Sequence, residues 1–308
     1  MIKARAVRPG DRVAIVAPSS PFQVDELEAG LAEIRRLGFE PVCDDRLFAR
    51  RGYVAGEPAV RAGALLDALA DPSVTCVLTA RGGFGSVQLL PLLDPAAVAR
   101  SRTLIVGYSD LTSLLTFVTC RCGLTAAHGP SVVSRLGGGG ARYDEATFLQ
   151  VLAGEPPSGE LQPGSLDVLR GGEARGPLFG GNLTQLAASL GTPYAFDPPA
   201  GSLLLLEDVN ERPYRLERAW TQLRLGGVIG RAAGVVLADF PGCDEPGGVP
   251  SARAVLADLV RDFPGPVVFG LRTGHTPGPA LTVPLGVEAT LLAQPRPALV
   301  IEEAAVGE

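Results

Sequence analysis

Thr103-Leu104-Ile105-Val106-Gly107-Tyr108-Ser109-Asp110-Leu111-Thr112-Ser113-Leu114-Leu115 runs from a short apolar segment, through a glycine and a serine, into residues with helical spacing. The apolar segment 103–106 is too short for an amphipathic helix and suits a strand buried on both faces, whereas 111–118 reads as a helix. A strand that turns sharply into a helix is the repeating unit of a parallel sheet, because parallel neighbours need a crossover between them. The same rhythm extends upstream, with strands at 13–16 and 74–78 and helices at 25–37 and 60–69. In the first of these helices Leu27, Leu31, Ile34 and Leu37 recur on one face before Gly38 stops it. The amino-terminal half therefore reads as a parallel α/β layer covered by helices, a class in which sites gather at the carboxyl ends of strands.

The organisation changes near residue 150. Gly154-Glu155-Pro156-Pro157-Ser158-Gly159 and Gly171-Gly172 bracket a polar, turn-rich stretch. The chain accordingly divides into an α/β domain at 1–155, a linker at 156–175 and a second β/α domain at 176–308. Short strands are expected in the second domain at 203–206, 235–238, 267–269, 281–283 and 298–301. A helix at 214–225 carries Leu216, Trp220 and Leu223 on one stripe. The four glycines at 137–140 read as a flexible loop.

Composition narrows the function classes. With 308 residues, 46% hydrophobic and 19% charged, the chain can build a large core, and about two domains is the natural division. A net charge of −6, one lysine and no basic cluster argue against a nucleic-acid partner. The apolar stretch 13–17 is too short for a signal-peptide core or a membrane span, so a cytoplasmic protein without membrane association is expected. Cys43, Cys76, Cys120, Cys122 and Cys243 form an odd set without finger spacing, best read as reduced thiols. Cys120-Arg121-Cys122 with His128 would make a metal site lacking a fourth ligand, so neither metal nor other cofactor is expected.

Only two histidines, His128 and His275, are available for proton transfer near neutral pH. His275 lies in Thr273-Gly274-His275-Thr276-Pro277-Gly278, a loop composition; His128 follows a short apolar run and could be a hydrogen-bonded wall of a site. Ser109 occupies the corner of the strand-to-helix turn, the place of a nucleophile elbow, although Leu111 stands where the usual second glycine would be. Taken alone, Ser109 would serve equally as a helix N-cap. Glu207 ends the run Leu203-Leu204-Leu205-Leu206, where a strand delivers a carboxylate to its tip. Serine, glutamate and histidine in that order can form a triad, which is defined by geometry and not by chain order. Arg81-Gly82-Gly83-Phe84-Gly85 has Gln88 where a dinucleotide fingerprint needs glycine, so it reads as a tight turn, structural or presenting backbone N–H groups to an oxyanion.

These segments, together with His128-Gly129-Pro130, Gly180-Gly181-Asn182-Leu183 and Leu206-Glu207-Asp208, closely resemble the LD-carboxypeptidase family of serine peptidases in order and spacing. The resemblance runs from Val13-Ala14-Ile15-Val16-Ala17-Pro18-Ser19 nearly to the end of the chain. It implies a flavodoxin-like amino-terminal domain, a carboxy-terminal swivelling β/α domain and a homodimer. It also implies Ser109 as nucleophile, His275 as general base and Glu207 as the residue that orients His275. On that mechanism the N–H groups of Asp110 and Gly83 would hold the oxyanion. Arg81, Arg215 and Arg218 are candidates for gripping a terminal carboxylate, and Asn182 and His128 complete the expected substrate-binding set. The family's best-known reaction removes the terminal D-alanine from the murein tetrapeptide during cytoplasmic cell-wall recycling. A sister branch hydrolyses a peptide–nucleotide antibiotic; the short segment 207–214, without an insertion for a nucleotide, favours the recycling branch. Rivals of another class are a non-catalytic peptide-binding protein and a nucleotide-dependent enzyme built on the loop 82–85.

Overall fold

The computed structural model describes residues 1–154, 159–162 and 165–307. Its first sheet has six strands in the order Val283–Leu285, Ala126–His128, Leu104–Gly107, Val74–Thr79, Arg12–Val16, Glu40–Val42. All pair in parallel except Val283–Leu285, which runs antiparallel to Ala126–His128. Counted along the chain, the parallel strands stand in the flavodoxin-like order 2-1-3-4-5. The strand order reverses between Arg12–Val16 and Val74–Thr79, which places a crevice beyond their carboxyl ends. The loops that leave those two strands carry Ser19 and the glycine-rich segment 81–85, and the neighbouring strand Leu104–Gly107 delivers Ser109. Leu104–Gly107 is buried throughout, as a strand covered by helices on both faces must be.

The second sheet has eight strands in the order Gly159–Leu161, Ala298–Ile301, Glu288–Leu292, Glu173–Asn182, Leu203–Glu207, Gly234–Ala238, Val267–Leu271, Asp167–Arg170. Its four central strands, from Glu173–Asn182 to Val267–Leu271, are parallel, and antiparallel strands flank them. The leucine run shows why it needs no polar alternation. Leu203 and Leu205 face the core shared with the first sheet, while Leu204 and Leu206 face a second core containing Leu216, Trp220 and Leu223 of the helix Pro213–Leu225. Glu207 is the first polar residue of that strand and is fully buried.

Three sequence expectations change. The segment 156–175 is no simple linker: Gly159–Leu161 and Asp167–Arg170 form the two edges of the second sheet, because polar side chains do not prevent a backbone from pairing at an edge. Residues 155–158 and 163–164 of that segment lie outside the described residues. The strand expected at 281–283 begins later, at Val283–Leu285, and crosses back into the first sheet. Leu281 instead donates its N–H to Arg272 O at 2.7 Å, closing the loop that contains His275. The glycines at 137–140 lie in a 3-10 segment, Leu136–Ala141. An added Cβ on Gly137 would come 3.3 Å from Glu26 O and 3.4 Å from Gly30 N, so the glycine lets this segment press against the helix Val24–Arg36.

The two sheets meet beside Ser109. Thr112 Oγ1, in the helix after the serine, accepts the N–H of Asn182 at 2.9 Å. A Cβ on Gly181 would lie only 2.6 Å from that oxygen, so glycine permits the approach. The terminal pairing of Ala4–Arg5 with Val306–Gly307 ties the ends of the chain together.

Candidate active site

Ser109 sits at φ +66°, the left-handed region that a serine occupies only when its surroundings hold it there. The preceding Tyr108 is extended and the following residues turn into a 3-10 helix and then the helix Thr112–Thr116. Asp110 holds this corner through its side chain as well as its backbone. Its Oδ2 accepts Ser19 Oγ at 2.6 Å and the Ser86 N–H at 2.8 Å, and its backbone O accepts Ser86 Oγ at 2.6 Å. Ser19 and Ser86 come from the loops of the two strands at the reversal of strand order, so one buried carboxylate locks three loops together. Gly82 backs onto the nucleophile: an added Cβ would stand 3.0 Å from Ser109 Cβ and 3.2 Å from Ser109 Oγ. The sequence alone points only to the backbone N–H of Asp110.

Glu207 and His275 meet across the second sheet. His275 Nδ1 lies 2.6 Å from Glu207 Oε2, and the His275 backbone N–H reaches the same oxygen at 3.3 Å. Gly274 makes this approach possible, with φ +63° and an ideal Cβ position 2.7 Å from Glu207 Oε2. Burial alone would raise the Glu207 pKa, but the hydrogen bond from His275 and the neighbouring imidazoles hold the carboxyl below its usual range. A carboxylate on Nδ1 leaves Nε2 as the nitrogen that exchanges protons. His275 packs edge-on against Tyr108, the residue before Ser109, with ring centroids 5.1 Å apart. Among the described residues His275 has a ring hydrogen bond to Glu207 and none to Ser109, a separation that commonly closes when substrate binds.

His128 lies at the end of its strand, its ring centroid 6.3 Å from that of Tyr108, and is fully buried. Neither ring nitrogen has a hydrogen-bond partner among the described residues. Burial pushes its pKa down to about 4, with His275 and Arg135 adding to the depression and Glu207 opposing it. The hydrogen-bonded wall expected from the sequence is therefore, among the described residues, a buried ring without a hydrogen bond, close enough to Glu207 and His275 to feel their charges. Arg135, which sequence reading missed, is 3% exposed and places its guanidinium 5.6 Å from the Tyr108 ring centroid. The same guanidinium donates to the backbone carbonyls of Gly274 and Thr276, on either side of His275, and to those of Arg142 and Gly278.

The expected substrate-binding residues divide by environment. Asn182 is committed at both ends of its amide: Nδ2 donates to Asp208 Oδ1 at 2.9 Å and Oδ1 accepts the Gln185 N–H at 3.1 Å, capping the helix Leu183–Ser189. Burial and the nearby Glu207 raise the Asp208 pKa despite donors from Thr184, Asn182 and Val209. Arg81 is exposed and donates to Pro21 O at 3.2 Å. Arg215 and Arg218 both flank the Tyr214 ring, with Arg215 paired to Glu211 at 3.3 Å, and both line a cavity of about 310 Å³. Cys120 and Cys122 do not gather with His128, and no group of three or more His, Cys, Asp or Glu suited to a metal occurs among the described residues. No described helix is long and apolar enough to cross a membrane.

The likeness to known proteins follows the same layout. Residues 13–129 match the LD-carboxypeptidase N-terminal domain and residues 175–291 the LD-carboxypeptidase C-terminal domain. A murein tetrapeptide carboxypeptidase of Pseudomonas aeruginosa is 35% identical over 86% of this chain and 88% of its own. The crystal structure of a muramoyltetrapeptide carboxypeptidase from Oxalobacter formigenes superposes with a TM-score of 0.84 at 29% identity, covering 95% of this chain and 99% of the other. The structure of MccF in complex with glutamyl sulfamoyl guanosine shares the fold, with a TM-score of 0.90 at 23% identity over the full length of both chains. With both domain matches set on the strands that carry Ser109 and Glu207, the chain belongs to the LD-carboxypeptidase family.

Proposed function

We propose that this protein is a serine carboxypeptidase that releases the terminal D-alanine from murein tetrapeptide. The observation that carries the reading is the buried Glu207–His275 pair, 2.6 Å apart, packed on the residue that precedes a serine held at φ +66°. His275 Nε2 takes the Ser109 proton as Oγ attacks the scissile carbonyl. The tetrahedral intermediate's oxyanion is held by the N–H groups of Asp110 and Gly83, each worth about 3 kcal/mol when well placed. Collapse breaks the C–N bond, and His275 passes its proton to the amine of the departing D-alanine. Water then enters through the same base, cleaves the acyl-enzyme and regenerates the Ser109 hydroxyl.

A free terminal carboxylate needs cationic or N–H donors to offset its desolvation. Arg81, beside the glycine-rich loop, and Arg215 and Arg218, exposed on the helix Pro213–Leu225, remain the candidates. Asn182 contributes by holding Asp208 behind the site. The proposal includes a homodimer acting on stem peptides in the cytoplasm. A second reading, hydrolysis of a peptide–nucleotide conjugate, draws on the likeness to MccF bound to an aminoacyl sulfamoyl nucleoside.

Incubation with murein tetrapeptide, followed by mass spectrometry, tests the proposal. Loss of one D-alanine residue, abolished in Ser109→Ala, supports it. Faster cleavage of an aminoacyl-nucleotide conjugate supports the second reading, and no reaction of Ser109 with either substrate or with an active-serine probe supports a binding protein.

A further inference from the structure

We propose that Arg135 is a positioning residue for the general base. The inference rests on the triad reading above and on contacts that a merely space-filling side chain would not need. Arg135 belongs to the segment after the strand Ala126–His128, in the first half of the chain, whereas His275 follows the strand Val267–Leu271 of the second sheet. Its guanidinium reaches across and donates to Gly274 O, to Thr276 O at 2.8 Å, to Gly278 O at 3.1 Å and to Arg142 O at 2.9 Å. Two of these carbonyls belong to the immediate neighbours of His275. The Cζ of the same group lies over the Tyr108 ring, 5.6 Å from its centroid. Tyr108 is held in turn by Ser134, its hydroxyl 3.2 Å from Ser134 Oγ. One buried cation thus touches the residue before the nucleophile and both residues flanking the base.

The charge bears on the argument. Arg135 makes no ion pair among the described residues, so four neutral carbonyls and the Tyr108 ring compensate its burial, and its Nε has no hydrogen-bond partner among those residues. An apolar side chain of similar volume would avoid that desolvation cost but would leave the four carbonyls without their donor, and on this proposal the guanidinium serves the loop geometry it imposes. A planar fork with five fixed donors can hold several carbonyls of one loop in register; the ammonium of lysine cannot span them. The register so imposed is that of His275 Nε2 relative to Ser109 Oγ, where a misplacement of about 1 Å costs on the order of 100-fold in rate.

The test compares wild type, Arg135→Ala and Arg135→Lys in steady-state hydrolysis of murein tetrapeptide, with thermal unfolding measured on each. The positioning role requires kcat to fall by about 100-fold in Arg135→Ala with KM held within about twofold, because the loop's register and not ground-state binding is lost. Guanidinium ions at millimolar concentration should restore part of the Arg135→Ala rate, and methylammonium should not. If Arg135→Ala does not fold, a folded Arg135→Lys must show the same loss in kcat without the change in KM. Unchanged kcat in either folded variant overturns the proposal, as does a loss that guanidinium fails to relieve. A wild type inert toward tetrapeptide and toward a serine probe instead overturns the peptidase reading on which it depends.

Discussion

His275 Nδ1 and Glu207 Oε2 lie 2.6 Å apart with the carboxylate wholly buried, and the His275 backbone N–H points at the same oxygen. Both bonds fall on one oxygen, and Glu207 Oε1 has no partner among the described residues. Both hydrogen bonds to the carboxylate thus come from His275, setting the ring's tautomer and orientation, while His128 acts on it through charge alone.

If Ser109 and His275 act as one unit, Ser109→Ala, His275→Ala and the double variant should lose similar activity, each at least about a thousand-fold in kcat. Glu207→Gln keeps an acceptor for Nδ1 but removes the charge that stabilises the imidazolium, so its loss should be smaller than that of either Ser109→Ala or His275→Ala. Single-turnover kinetics on all four variants checks this. Multiplicative losses in the double variant would separate the two residues.

His128 makes the fold acid-sensitive in a defined window. Its native pKa is about 4 against an ordinary 6.5, so between those values the unfolded chain binds a proton that the folded chain refuses. Stability then rises with pH through this window, by at most about 1.4 kcal/mol per unit from this group. The groups acting on it are Glu207, which favours the charged imidazole, and His275 and Arg135, which oppose it. Glu207 is shifted in the same direction, its native pKa held down by His275, so its contribution is present above the ordinary carboxylate value and disappears as pH falls through the lowered one. Urea unfolding of wild type and His128→Asn across the histidine window should show a shallower pH slope in the variant; equal slopes refute the assignment.

Gly274 is the hinge on which His275 reaches the carboxylate. Alanine there would carry a left-handed φ of +63° and set its Cβ 2.7 Å from Glu207 Oε2. The conformation costs about 1–2 kcal/mol, and displacement of either partner should lower kcat by on the order of 100-fold. Denaturation and kinetics of Gly274→Ala measure the two effects separately. A variant as active as wild type would show that the loop can supply the contact another way.

The parts of this site that were legible in the sequence are those whose signal is local. Continuous apolar runs marked the strands ending at Gly107 and Glu207, because a strand buried on both faces has no polar alternation to obscure it. The corner at Ser109 followed from a glycine between such a run and a helix. Arg135 gave no such signal: its acceptors are backbone carbonyls, which every residue has, and those of Gly274, Thr276 and Gly278 lie far along the chain. The sequence points to Asp110 for its N–H, but its carboxylate partners Ser19 and Ser86 become neighbours only through the strand order. The late start of Val283–Leu285 was equally hidden, since closing the His275 loop through Leu281 and Arg272 is a tertiary event.

Substrate selectivity provides the last prediction. A carboxypeptidase site must desolvate the terminal carboxylate and recover that cost through arginine or N–H donors, so those donors are left unpaired when the end is amidated. Amidating the terminal D-alanine should therefore cut kcat/KM by about 100-fold or more. Replacing it with L-alanine should also be damaging, because the methyl group then points where the D-methyl does not and pushes the carbonyl away from Ser109, for a loss on the order of 100-fold. Competition between the natural, amidated and all-L tetrapeptides, read by mass spectrometry of the released residue, measures both ratios. Equal cleavage of all three would show that the site recognises neither the free carboxylate nor the D-centre, and the proposed carboxypeptidase reaction would have to be given up.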